Sequence, residues 1–192
     1  MNTIERMFIA KCQEPSDINE HLPTLYNLAL DCESAAEFGI RWCVSVYALA
    51  HARLKKLICV DITRHSNVDE FLSLCSNEKL DVTFHLSDSR AFEMDPVDLI
   101  FIDTLHTYTQ LSAELAHLGN KSQKYIVFHD TISYGVSDEQ YIYPGVNDNI
   151  TTPPIKTGLV QAIKEFLQDN PQWKEECTYS NNNGLTVLKR IG

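Results

Sequence analysis

Two short apolar runs in this chain each stop at an acid and keep a histidine beside it. Val97-Asp98-Leu99-Ile100-Phe101-Ile102 leads into Asp103, with His106 three residues on, and Tyr125-Ile126-Val127-Phe128 leads into His129 and Asp130. Carboxylates are hard oxygen donors that suit Mg2+ or Mn2+, whereas an imidazole can ligate a softer metal or exchange a proton near neutral pH. Asp103 and Asp130 with His106 and His129 therefore allow either a divalent-metal centre or metal-free acid and base work. Structural caps at strand ends are the third reading. Other acids close similar runs: Glu37 just before Gly39, Asp61 after Leu57-Ile58-Cys59-Val60, and Asp88 with Ser89 after Leu86-Ser87. Asp61 follows Gly39 by 22 residues, the spacing at which an acid can accept hydrogen bonds from both hydroxyls of a ribose. Asp88 suits a hydrogen bond to a base amine, or equally an Asx turn. No G-x-G-x-x-G occurs, which argues against a nicotinamide or flavin dinucleotide.

Those residues need a scaffold that brings run ends together, and the pattern supplies one. Short apolar runs without alternation suit parallel strands covered on both faces, and ligands collect beyond the carboxyl ends of such strands. Strands are predicted at 35–40, 57–61, 80–86, 97–102 and 125–131, with helices at 43–54, 68–75, 107–118 and 158–167. Two adjacent parallel strands would bring Asp103 and Asp130 within about 5–8 Å. Residues 1–31 read as a helical extension: Ser16-Asp17 can cap it, and Leu22, Leu25, Tyr26, Leu28 and Leu30 form an apolar face broken only by Pro23. The stretch 131–155 is long, polar and rich in turn residues, with Tyr134, Tyr141 and Tyr143, and reads as a lid or substrate loop. Its tyrosines permit stacking on a sugar or aromatic ring, and equally a dimer contact. Runs at 173–179 and 185–190 flank Ser180-Asn181-Asn182-Asn183-Gly184, where Asn-Gly signals a hairpin. The expected architecture is α/β and Rossmann-like: a mostly parallel seven-stranded sheet ending in an antiparallel hairpin, helices on both faces, all in one domain over 1–192.

Composition narrows the partners. A formal net charge of −10 repels a phosphate backbone, so nucleic acid is not expected. No apolar run is long enough to span a bilayer, and the first ten residues carry Glu5 and Arg6 inside their only apolar patch, unlike a signal peptide. A cytoplasmic protein is expected. Six scattered cysteines without a C-x-x-C pair read as buried reduced thiols rather than a zinc site.

Five β/α units, acids at successive strand ends and a terminal hairpin resemble the class I S-adenosylmethionine-dependent methyltransferases. Three segments carry the likeness: Glu37-Phe38-Gly39-Ile40-Arg41-Trp42-Cys43-Val44-Ser45, Ile102-Asp103-Thr104-Leu105-His106-Thr107-Tyr108 and Val127-Phe128-His129-Asp130-Thr131. They are similar to a subgroup with an E-x-G-x-x-x-G-x-S first motif, related to sugar O-methyltransferases and cephalosporin-hydroxylase-like proteins; Cys43 stands where that motif has its second glycine. The resemblance implies S-adenosylmethionine as cofactor. Glu37 and Gly39 would border its methionine end, Ser45 would open the adjoining helix, Asp61 would hold the ribose, and Asp88 and Ser89 would lie near the adenine. It further implies Mg2+ or another divalent metal on Asp103 and Asp130, with Asp103, His106 and His129 as the catalytic set. The implied activity is methyl transfer to a hydroxyl or amine of a small molecule, such as a sugar or aromatic compound. Two alternatives stand beside it: a metal-dependent hydroxylase or hydrolase on the same fold, and a methyltransferase-like binding protein without catalysis. Oligomeric state is open.

Overall fold

The computed structural model describes residues 1–140 and 156–192. Five strands run parallel: β1 (Ser34–Phe38), β2 (Lys56–Asp61), β3 (Val82–Leu86), β4 (Val97–Ile102) and β5 (Ser122–His129). β7 (Leu185–Arg190) lies antiparallel between β5 and β6 (Trp173–Tyr179), giving one sheet in the order β3-β2-β1-β4-β5-β7-β6. The expected seven strands and closing hairpin are present.

Alternate side chains of each central strand go to opposite faces. Leu99, Phe101, Tyr125 and Val127 join one apolar cluster; Ile100, Ile102, Ile126 and Phe128 join the other. The first cluster is covered by α1 (Thr3–Gln13), α2 (Leu22–Ala29), α3 (Val46–His51) and α4 (Asn67–Asn77), the second by α5 (Tyr108–Leu118) and α6 (Leu159–Asp169). Both faces of the central strands are covered, so their sequences read as apolar runs rather than strict alternation, with Glu37 and Asp98 as polar members.

Several boundaries differ from expectation for local reasons. The N-terminal extension is two helices: α1 is closed by a capping box of Asn2 and Glu5, while Ser16 instead accepts from the Asn19 amide at 3.0 Å in a 3-10 turn. Pro23 breaks nothing, because it sits in the first turn of α2, where its missing N–H is not needed. Leu30, counted in the apolar face, is exposed. α3 is shorter than 43–54 because Cys43 and Arg53, near either end of that span, take left-handed φ values, 57° and 56°, which no helix accommodates. β5 starts earlier than expected, at Ser122, and stops at His129, where Asp130 turns left-handed with φ 60°. The expected lid is described only up to Gln140; Tyr141, Tyr143 and the rest of it lie outside the described residues.

β1 has β2 on one side and β4 on the other, so the strand order reverses there and the carboxyl ends splay into a crevice. Pairing sets Phe38 opposite Val60 and Ile102, and Ile102 opposite Phe128. The next residues, Gly39, Asp61, Asp103 and His129, therefore share one edge.

Candidate active site

The four residues expected to do chemistry converge. His106 Nε2 lies 3.2 Å from Asp103 Oδ1 and 3.1 Å from Asp130 Oδ2, and His129 Nδ1 lies 3.3 Å and 3.1 Å from the same two oxygens. Asp130 reaches back to Asp103 through its left-handed backbone, a conformation costly for a residue with a side chain and tolerated best by Asp and Asn. The remaining ring nitrogens are also held: His106 Nδ1 is 2.9 Å from Glu139 Oε2, and His129 Nε2 donates to the Asn182 carbonyl at 3.1 Å. Tyr134 stacks parallel on the His106 ring at 5.0 Å. Asp103 is 21% exposed at its side chain, against 12% for His106, 7% for Asp130 and 1% for His129, so an incoming group meets Asp103 first.

Three carboxylates around two imidazoles set the charges. Burial alone would push the Asp103 carboxyl up, but the charge on His129 and hydrogen bonds from His106 and His129 outweigh it and hold the carboxyl well below the usual range. Burial would lower both histidines; hydrogen bonds to Asp103 and Glu139 instead raise His106 to about 10, and the Asp103 charge and hydrogen bonds to Asp103 and Asp130 raise His129 to about 11. The two carboxylates thus favour the protonated form of both imidazoles. One divalent ion would supply the same two positive charges as the two protons it displaced. Asp103, His129 and Asp130 each present a ligand atom within 4.8 Å of the others, and among the described residues this is the group able to hold a metal.

The neighbouring β1 end is a separate polar cluster. Glu37 is fully buried, and Ser45 Oγ donates to its Oε1 at 2.5 Å, while Oε2 has no partner. Burial, opposed by the Ser45 bond and reinforced by the charges of Asp103 and Asp61, pushes Glu37 up to about 8. Ser45 thus braces Glu37 and makes no side-chain cap on α3. Gly39 has φ +87°, and a Cβ there would overlap the Asp103 carbonyl oxygen, so only glycine lets β1 and β4 approach this closely. Cys43 keeps the left-handed backbone of a glycine and is buried in the core cluster under α1 to α4. Asp61 accepts from the Arg41 amide at 2.9 Å and the Thr63 amide at 2.8 Å, which folds the 39–45 turn onto β2 and leaves a second lone pair on each oxygen. Ile62 beside it is exposed.

At the β3 end the Asx-turn reading of Asp88 is the one the geometry shows. Asp88 is held by Arg90, with two Nε contacts of 3.1 Å and an NH2 contact of 2.7 Å, and accepts from the Arg90 amide, so it forms the Asx turn. Ser89 is buried and donates to Glu114 Oε1 at 2.5 Å, in a network completed by Thr104 and Gln110. It faces inward.

Glu114, Glu139, Asn182 and His21 were not singled out as site residues by the sequence. His21 is buried beside His129, with ring centroids 5.8 Å apart, and bonds the Asn181 carbonyl at 3.0 Å. Asn182 Nδ2 donates to the Ser16 carbonyl, and its Oδ1 accepts from the Glu20 amide, so the β6–β7 turn is pinned to the N-terminal segment and its carbonyl to His129. The Asn-Gly hairpin signal locates the turn and gives no hint of that contact.

No family model and no curated protein matches the chain. Solved structures do. The O-methyltransferase of Bacillus cereus, in complex with SAH, superposes with a TM-score of 0.62 at 18% identity, over 98% of this chain and 90% of that one. The N-methyltransferase NodS of Bradyrhizobium japonicum WM9, bound to S-adenosyl-L-homocysteine, gives 0.62 at 15%, over 99% and 97%. The O-methyltransferase TomG of Streptomyces achromogenes, in complex with SAM, gives 0.61 at 16%, over 93% and 82%. The chain thus has the Rossmann-like fold of the S-adenosylmethionine-dependent methyltransferases, including small-molecule O-methyltransferases.

Proposed function

We propose that the protein is an S-adenosylmethionine-dependent methyltransferase that acts on a hydroxyl or amine of a small molecule with help from a divalent metal. The observation that carries this reading is the juxtaposition, at one reversal of strand order, of a braced buried acid with a polar cluster able to hold a cation. Glu37 Oε2 is a buried acceptor without a partner, which suits the cationic methionine end of the cofactor. Asp61 keeps acceptor capacity for a ribose, and Ile62 offers an apolar face for the base. Asp88, tied to Arg90, contributes at most through the turn it shapes, and Ser89 through its grip on Glu114.

Asp103, His129 and Asp130 would hold the metal, with His106 Nε2 facing the same two carboxylates as a further donor, and carboxylate and imidazole donors fit one. Bound, the cofactor supplies a sulfonium-activated methyl group and the metal supplies charge that favours the ionised acceptor. The chain's own contribution is positioning. Asp103, the exposed member, orients the acceptor, and Glu139 and the Asn182 carbonyl fix the imidazole rings. Six free cysteines fit the reducing cytoplasm.

A metal-dependent hydroxylase or hydrolase is the second reading, favoured by the two imidazoles in the donor set. The methyltransferase-like binding protein without catalysis remains the alternative that Cys43 raises, although its backbone takes the left-handed conformation of the glycine it replaces. Incubation with S-adenosylmethionine, a divalent metal and a panel of sugars and phenols, with formation of S-adenosylhomocysteine as readout, tests the proposal. Metal-dependent turnover of S-adenosylmethionine supports it; oxidation or hydrolysis of a panel member without cofactor binding supports the second reading.

A further inference from the structure

The geometry points to a site that selects a nitrogen-seeking divalent transition ion over Mg2+, with Glu139 and the Asn182 carbonyl as the residues that position its two imidazole ligands. This rests on the reading of the cluster as a metal site given above. Two imidazole nitrogens face the carboxylate pair: His129 Nδ1, within the metal-capable group, and His106 Nε2, 3.1 Å from Asp130 Oδ2. Imidazole suits Mn2+ less than Fe2+, Co2+ or Zn2+ and suits Mg2+ least, because Mg2+ is hard, dehydrates reluctantly and prefers oxygen.

Each imidazole is also oriented as a ligand should be. Metal-binding histidines almost always give their second nitrogen to a carboxylate or a backbone carbonyl, which fixes the tautomer and the ring angle. Here one of each is present: Glu139 Oε2 on His106 Nδ1 at 2.9 Å, and the Asn182 carbonyl on His129 Nε2 at 3.1 Å. Neither holder is sequence-adjacent to its histidine. Glu139 is tied down by its own amide, which donates to the His106 carbonyl at 2.9 Å, and Tyr134 covers the ring from one face. Asn182 has φ 45° and is anchored to Ser16 and Glu20 by its side chain, so the hairpin turn is fixed from the N-terminal segment before it reaches His129. Two separate elements thus direct the inner ring nitrogens, His106 Nε2 and His129 Nδ1, at the pair of carboxylates, where an ion would take the place of their protons. A magnesium site would gain nothing from either.

The test uses the full chain stripped of metal, titrated calorimetrically with Mg2+, Mn2+, Co2+ and Zn2+, with S-adenosylhomocysteine binding measured on the same samples. Co2+ and Zn2+ are expected to bind at least about 100-fold more tightly than Mg2+. Pulsed electron paramagnetic resonance of the Mn2+ form is expected to show coupling to imidazole nitrogen. His129→Glu, which trades nitrogen for oxygen, should cut the Co2+/Mg2+ preference about tenfold or more and reduce the nitrogen coupling. Glu139→Gln keeps all four ligands and is expected to weaken Co2+ about 10- to 100-fold with unchanged circular dichroism. It guards against misfolding of the His129 variant. Equal or tighter binding of Mg2+, absence of nitrogen coupling, or absence of any metal binding would overturn the inference. If S-adenosylhomocysteine still binds in those cases, the methyltransferase reading stands without it; if it does not, both fall.

Discussion

Gly39→Ala is the sharpest test of how the β1 and β4 ends create the site. The added Cβ would overlap the Asp103 carbonyl oxygen and lie 2.6 Å from its carbonyl carbon and 3.2 Å from the Thr104 amide. Backbone atoms cannot rotate aside, so the two strand ends must separate. The left-handed φ of +87° costs a non-glycine residue about 1–2 kcal/mol, and forcing a methyl into packed space costs about 1–3 kcal/mol more. The strand-end bonds at risk, Gly39 amide to Val60 carbonyl and Asp103 amide to Phe38 carbonyl, both 2.9 Å, are worth about 1 kcal/mol each. A loss of about 4–7 kcal/mol in urea unfolding is expected if both bonds are lost with those contributions. The same displacement moves Asp103 off its partners, so S-adenosylhomocysteine and metal binding should both weaken by about 100-fold, the usual scale for a misplacement near 1 Å. Stability within about 1 kcal/mol of wild type, together with unchanged binding of both ligands, would refute the reasoning.

Other expectations follow from the charges. Glu37→Gln removes a buried acid held up at about 8 and should leave urea stability unchanged or higher, while S-adenosylhomocysteine binding falls at least about tenfold by calorimetry. Asp103→Asn should abolish measurable metal binding and change S-adenosylhomocysteine affinity only a few-fold, since its carboxylate is shared with the imidazoles and not with Glu37. For the metal-free protein, the folded state binds extra protons on Glu37 between 4.5 and about 8, and on His106 and His129 between 6.5 and about 10 to 11. Unfolding free energy should therefore fall as pH rises from neutral towards 10. Asp103, held low, adds stability above its ordinary 3.8 that is lost on acidification. A flat or rising profile in urea titrations between pH 7 and 10 would contradict these protonation states.

The strand scaffold and the positions of Asp103, His106, His129 and Asp130 were legible because a strand buried on both faces is an uninterrupted apolar run, and its end is marked by the first acid. Parallel register brings the ends of β4 and β5 together, and the left-handed backbone of Asp130 completes the contact. The short α3 was not legible, because the left-handed residues Cys43 and Arg53 are of types that give no sign of positive φ. For Asp88 the sequence allowed the Asx turn that forms, but it does not show that Arg90 and Glu114 engage Asp88 and Ser89. Glu139 and Asn182 reach the site from 33 and 53 residues away, and no local pattern records such contacts.

The central claim is that this crevice holds the methyl-donor cofactor. Calorimetric titration of S-adenosylhomocysteine into the folded wild-type chain addresses it directly. Saturable binding of one molecule per chain, lost or sharply weakened in Gly39→Ala, is the result the account predicts. Folded protein that gives no binding at any accessible concentration, with or without divalent metal, would contradict it.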